Sequence, residues 1–139
     1  MDWTLEVVLI PVTDVDRAKA FYADQLGFHV DVDHHPNDSF RVVQLTPPGS
    51  ACSISMGVGI TDAEPGSVRG THLVVSDIEA AHAQLVDAGV DCSEVTHFEA
   101  GSMVAGPDPD RSDHGSYLHF RDPDGNSWAV QEVRSRATN

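Results

Sequence analysis

Basic side chains are scarce in this chain: eight Lys and Arg stand against 22 Asp and Glu, a formal net charge of −14 over 139 residues. A surface of that sign repels nucleic acid phosphate and anionic lipid, and the few cations gather only weakly near Arg134 and Arg136. DNA, RNA and membrane partners are therefore not expected. Cysteine is equally sparse. Cys52 and Cys92 show no CxxC or other paired metal spacing, and two thiols in a chain this size read as small core hydrophobes, not a disulfide framework. Long apolar runs are missing too. The segment MDWTLEVVLIPVTD has no basic stretch ahead of a long hydrophobic one, so neither a signal peptide nor a membrane span is expected. A reducing, cytoplasmic location is the expectation that follows.

What is present is a repeat. Val12-Thr13-Asp14-Val15-Asp16 reads against Val75-Ser76-Asp77-Ile78-Glu79, an offset of 63 positions, and Ala18, Ala20 and Asp24 fall on Ala81, Ala83 and Asp87. Each copy ends on a glycine before an apolar residue, Gly27-Phe28 and Gly89-Val90, with a slip of one residue. Fixed-period similarity means one supersecondary unit used again. Two copies are too few for a solenoid and suit a pseudo-symmetric single domain with a cleft along its shared axis. The expected division is module one at 1–60, a linker rich in Asp, Glu, Pro and Gly at 61–69, and module two at 70–139.

Within module one, Leu5 to Val12 has the composition of a buried strand. Thr13 and Asp14 are N-cap residues, and Val15, Ala18, Phe21, Tyr22 and Leu26 form one helical stripe ended by Gly27. Phe28 to Asp33, Phe40 to Leu45 and Ala51 to Val58 read as strands, with a turn over His34 to Asp38. Module two repeats the order. Thr71 to Val75 is a strand, Ser76 a cap, and Ile78, Ala81, Leu85 and Ala88 a buried stripe closed by Gly89. Val90 to His97 is a strand, residues 99–115 a long loop, and Ser116 to Arg121 with Asn126 to Val133 a hairpin joined at Asp122-Pro123-Asp124-Gly125-Asn126. The prediction is eight main strands and two main helices.

The motif from Asp14 through Phe21-Tyr22 to Leu26-Gly27-Phe28, the stretch Phe120 to Asn126, and the repeated strand-helix-three-strand order resemble the vicinal oxygen chelate superfamily. That group includes glyoxalase I, bleomycin-resistance proteins, extradiol dioxygenases and methylmalonyl-CoA epimerase. The resemblance covers nearly the whole chain. It implies an α+β fold of two βαβββ modules forming a cup-shaped, mostly antiparallel sheet with helices outside, and usually a homodimer. A fold of this kind does not fix a reaction.

Metal-dependent members of that group place His or Gln early in each module's first strand and Glu in each last strand. Counted from the shared motifs, those positions here are Val7, Gly70, Ala129 and one near Ser55, none of them a usual ligand. No cofactor is therefore expected and no metal ligand is assigned. The nearest rescue is a set of His72, His119 and Gln131, which shares the inner face if Leu118 and Phe120 pack beneath the helix, and which would suit zinc or nickel. Each has a plainer use: His72 as a hydrogen-bonded histidine lining the cavity, His119 likewise or as a general acid or base, and Gln131 as a ligand contact or a brace. Trp128 and Val130 should be core, and Glu132 solvated or capped by a basic neighbour. His34-His35, Asp108-Pro109-Asp110 and Asp122 to Asn126 are read as turns, and nothing fixes whether His97 and His114 approach the cleft.

These readings converge on a glyoxalase-like or bleomycin-resistance-like protein that binds a small organic molecule in the cup without the catalytic metal. Its expected contacts are Phe40, Gln44, Ser55, His72, His119 and Gln131. Two enzymatic alternatives stand beside it: a divalent-metal lyase, isomerase or dioxygenase with a rearranged site, and a metal-free enzyme transferring protons through His72 or His119.

Overall fold

A computed structural model describes residues 1–137, which form two sheets and two helices in a mixed α+β fold. The chain divides into two compact units: Met1–Val68 with Asp122–Asn126, and Arg69–Arg121 with the residues from Ser127 onward.

In the first unit, β1 (Val7–Leu9) leads into α1 (Val15–Ala20), and β2 (His29–Asn37), β3 (Phe40–Thr46) and β4 (Ser53–Val58) follow. The sheet order is β1-β4-β3-β2, with β1 parallel to β4 and the other pairs antiparallel. Asp14 caps α1 by accepting from the Arg17 amide. The helix then widens into a π turn over Phe21–Gln25, closed by Leu26 N–H donating to the Phe21 carbonyl at 3.1 Å. That extra residue lets neighbouring Phe21 and Tyr22 both be buried, along with Leu26. Gly27, at φ +75°, ends the helix as expected. Beneath it, Val43, Leu45, Ile54 and Met56 alternate along β3 and β4 and are almost wholly buried. Arg41 ties helix to sheet, donating to Asp16 at 2.7 Å and to both Asp33 oxygens at 3.0 and 2.9 Å.

The Asp122–Asn126 turn completes this unit's core. Asp122 accepts from Tyr22 Oη at 2.7 Å and from the amides of Asp124 and Asn126, while Asn126 Nδ2 donates to the Pro11 carbonyl at 2.9 Å. The motif that carries the resemblance is therefore a hydrogen-bonded plug in which the buried side chains of Asp122 and Asn126 bond to each other.

The second unit repeats the order with one strand more: β5 (Thr71–Val75), α2 (Ile78–Asp87), β6 (Thr96–Glu99), β7 (Ser102–Ala105), β8 (Ser116–Arg121) and β9 (Ser127–Glu132). Their order is β5-β9-β8-β6-β7, with β5 parallel to β9. Ile78 and Leu85 of α2 are buried, as are Leu118, Phe120, Trp128 and Val130 of the sheet, and Phe120 stacks on Trp128.

Several boundaries differ from expectation. The expected Leu5–Val12 strand is only Val7–Leu9. β2 continues through His34-His35-Pro36 to Asn37, because the register shifts between His34 and Asn37 and absorbs the proline. Val90–Val95 makes only an isolated bridge, Cys92 to Phe120, before β6 begins. The presumed 99–115 loop contains β7, since Ala100 and Gly101 take positive φ and turn the chain back on β6. Asp77, not Ser76, caps α2, accepting from Glu79 and Ala80 amides at 3.1 Å.

Candidate functional site

Each sheet buries one face under its helix and leaves the other open. In the first, Val7 and Leu9, then Phe40, Val42, Gln44 and Thr46, alternate away from the buried set. Gln44 pairs with Ser55 and Ser55 with Leu9, so the expected contacts Phe40, Gln44 and Ser55 share the open face. Ser55 is only 5 % exposed and sits low between larger neighbours.

The same face carries a polar chain that the sequence did not reveal. Thr46 Oγ1 donates to Asp31, Ser53 Oγ lies 2.6 Å from Thr46 Oγ1, and His29 Nδ1 is 2.9 Å from Asp31 Oδ1. Since the carboxylate only accepts, the Thr46 hydroxyl points to Asp31 and the Ser53 hydroxyl to Thr46. The bonds from Thr46 and then His29 hold the Asp31 carboxyl below its ordinary value. Only the β2–β3 and β3–β4 registers bring these groups together.

On the second sheet, His72, Ala129 and His119 form one cross-strand row, and Val74, Gln131 and Tyr117 the next. His72, His119 and Gln131 therefore do lie on one open face, opposite Leu118, Phe120, Trp128 and Val130. They do not adjoin, however. Ala129 separates the two histidines by two strand spacings, roughly 10 Å. Gln131 Nε2 is committed to Tyr117 Oη at 2.7 Å and the His114 carbonyl at 3.1 Å. His72 Nδ1 lies 3.3 Å from the Gly70 carbonyl, which can only accept, so Nε2 is left as the acceptor. Tyr117 and His119 present parallel rings, and Phe98 meets Tyr117 edge-on.

The divalent ion of metal-dependent relatives does not fit this donor set. Val7 and Ser55 on one open face, and Gly70 and Ala129 near the other's β5–β9 pair, offer no imidazole and no carboxylate. Among the described residues, no group of three or more His, Cys, Asp or Glu side chains is placed to hold a metal ion.

Glu132, Arg111 and His97 have structural partners. Glu132, expected at the surface or capped, is fully buried: Arg111 donates to its Oε1 at 2.8 Å and Oε2 at 2.5 Å, and the Ile78 amide donates to Oε2 at 2.8 Å. The guanidinium holds this carboxyl below its usual value against the opposing pull of burial. A recess of about 460 Å³ beside it is lined by Ser76, Asp77, Arg111, Arg134 and Ala137. Arg111 is engaged there with Asp77, Glu79 and Glu132, so the recess offers an anion little. His97 faces away from the open side, buried, with Nδ1 2.7 Å from the Gly106 carbonyl and Nε2 3.3 Å from Glu99.

Comparison with known proteins follows this geometry. The chain resembles the solved structure of TnmS3, an antibiotic binding protein from Streptomyces sp. CB03234, at 27 % identity and TM-score 0.73, over 95 % of this chain and 97 % of that one. A glyoxalase/bleomycin resistance protein from the same organism matches at 28 % identity and TM-score 0.70, over 93 % and 100 % of the two chains. A superfamily member from Sphaerobacter thermophilus DSM 20745 matches at 25 % identity and TM-score 0.73, over 94 % and 98 %. No curated protein sequence matches. No helix among the described residues is long and apolar enough to cross a membrane. A family model spans residues 4–130, and the chain belongs to the Glyoxalase/Bleomycin resistance protein/Dioxygenase superfamily.

Proposed function

We propose that this protein binds a small organic molecule on the open faces of its sheets, in the manner of a drug-sequestering family member, and without the family's catalytic metal. The observation that carries the reading is the character of those faces: apolar side chains such as Val7, Leu9, Phe40 and Val74, with a few polar groups among them and no metal-grade donor set. The likeness to an antibiotic binding protein at 27 % identity supports it. A homodimer and a cytoplasmic location belong to the same proposal, the latter supported by two unpaired, half-buried cysteines.

Isothermal titration calorimetry against a panel of antibiotics and aromatic small molecules, before and after EDTA treatment, tests the reading. Saturable binding that survives EDTA is expected. Stoichiometric metal in chelator-free protein, with binding abolished by EDTA, would reverse it in favour of a metal-dependent enzyme.

One observation favours a second reading, a metal-free enzyme. His72 keeps Nε2 bare on the open face because Nδ1 is occupied by the Gly70 carbonyl. Turnover of a bound molecule that is lost in His72→Gln, with binding retained, would establish it.

A further inference from the structure

The polar chain on the open face of the first sheet runs in one direction. Ser53 donates to Thr46, Thr46 to one Asp31 oxygen, and His29 Nδ1 to the other at 2.9 Å. It begins at Ser53, 5 % exposed, whose amide donates to the Glu6 carbonyl at 2.9 Å. It ends in solvent at His29, whose side chain is 79 % exposed. Asp31 is the extra residue of a bulge, since Val30 pairs with Leu45 and Val32 with Gln44. Bulges re-aim a side chain. This one sets the carboxylate against Thr46 and Gln44, both of which hydrogen-bond it.

What this chain achieves is to fix one imidazole. Because the carboxylate only accepts, the neutral His29 ring carries its proton on Nδ1 and its lone pair on Nε2, which has no partner among the described residues. A carboxylate behind Nδ1 holds the ring in one tautomer and stabilises the imidazolium that forms when Nε2 takes a proton. Thr46, braced by Ser53, holds the carboxylate in turn. The other histidines with hydrogen bonds differ: His97 has both nitrogens engaged, and His72 leans on a carbonyl, which carries no charge. Among the described residues, only His29 is backed by a carboxylate while its far nitrogen stays bare.

We propose that His29 is a general base for the hydrolysis of uncharged esters, with Asp31 and Thr46 as its positioning residues. Nε2 takes a proton from water as the water oxygen bonds to the ester carbonyl carbon. The carbon–oxygen bond to the alcohol then breaks, and the imidazolium returns the proton to the leaving oxygen. One ester and one water become one acid and one alcohol, so the step needs no further reactant. Val7, paired with Ser53, and Val32, paired with Gln44, are both partly exposed and give the ester an apolar approach. The net charge of −14 disfavours anionic esters. This activity goes beyond the binding reading and uses a different histidine from His72.

The test is hydrolysis of 4-nitrophenyl acetate by the full chain, against N-acetylhistidine at eight times the protein concentration to match the eight histidines. The protein is expected to exceed that control at least about tenfold, a modest share of the roughly 10²–10⁴ a positioned base contributes. Were all eight histidines equivalent, His29→Gln would remove about one-eighth of the rate; it is expected to remove about nine-tenths or more. His82→Gln, on α2, should remove no more than that eighth. Asp31→Asn should slow turnover severalfold. Thr46→Val, which keeps the shape and loses the hydroxyl, should do the same, whereas Thr46→Ser should not; a packing role predicts the reverse order. The rate should fall in heavy water, because a proton moves in the step. Amide spectra check that each variant is folded. A rate equal to the control, a loss of one-eighth in His29→Gln, activity that follows His72→Gln instead, or an unchanged rate in heavy water would each overturn the assignment.

Discussion

His97 sits between two groups that can only accept hydrogen bonds, the Gly106 carbonyl and the Glu99 carboxylate. A neutral imidazole has one N–H and satisfies one of them, whereas the imidazolium satisfies both. The Gly106 bond is the larger cause and, with Glu99 and the nearby Asp108 charge, raises the His97 pKa above its ordinary 6.5. The folded state therefore binds this proton more tightly than the unfolded chain does. The resulting stability is fully present below about pH 6.5 and is lost as pH rises through the higher, folded value. The urea midpoint of the wild type, minus that of His97→Gln, should shrink between pH 5.5 and 8.5. Taking the difference cancels the other histidines, and a flat difference would count against the imidazolium. At this scale the sequence was readable where one residue acts on its neighbours: Asp14 as a cap, Gly27 as a stop. It was silent where two strands must first be aligned, as for Asp31, Thr46 and Ser53, since only register makes them a chain.

Between elements, the most consequential contact is Arg111 on Glu132. Arg111 stands in the 106–115 segment at φ 51°, and Glu132 ends β9 and also receives the first amide of α2. One carboxylate thus joins a loop, a strand and a helix start. Removing one member of a buried pair strands the other charge, which costs about 3–5 kcal/mol. Arg111 is a quarter exposed, so water can partly replace it, and the lower end applies. Arg111→Ala is expected to lose about 3 kcal/mol in urea unfolding. The double variant Arg111→Ala, Glu132→Gln should recover part of that loss, because the stranded charge is gone. Additive losses would mean that the pair is not coupled. Sequence pattern offered a basic neighbour as one of two fates for Glu132 but could not name Arg111, because Glu132 alternates correctly for a helix-facing position and then breaks the rule that such positions are apolar. It did place His72, His119 and Gln131 on one open face, since period-two alternation survives an error in strand ends. It missed β7 because a four-residue strand within a polar stretch has too few side chains to show a period.

Across the whole molecule, the dominant quantity is the net charge of −14. Four of the eight cations are committed to particular acids: Lys19 and Arg41 to Asp33, Arg17 to Asp124, Arg111 to Glu132. Most of the 22 acidic groups therefore repel one another with no partner to offset them. Self-repulsion acts over the screening length, about 30 Å at 0.01 M salt and about 8 Å at 0.15 M. Salt also weakens the ion pairs, but the best of them, on Arg41 and Arg111, are partly shielded from solvent and lose least. Repulsion should therefore win. Raising sodium chloride from 0.01 to 0.15 M is expected to raise Tm by roughly 3–5 °C, the response of a domain this size to about 1 kcal/mol. Chloride is the appropriate anion, because sulfate stabilises proteins by exclusion from their surface whatever their charge. A Tm that falls with chloride would mean that the exposed pairs outweigh the surplus of carboxylates.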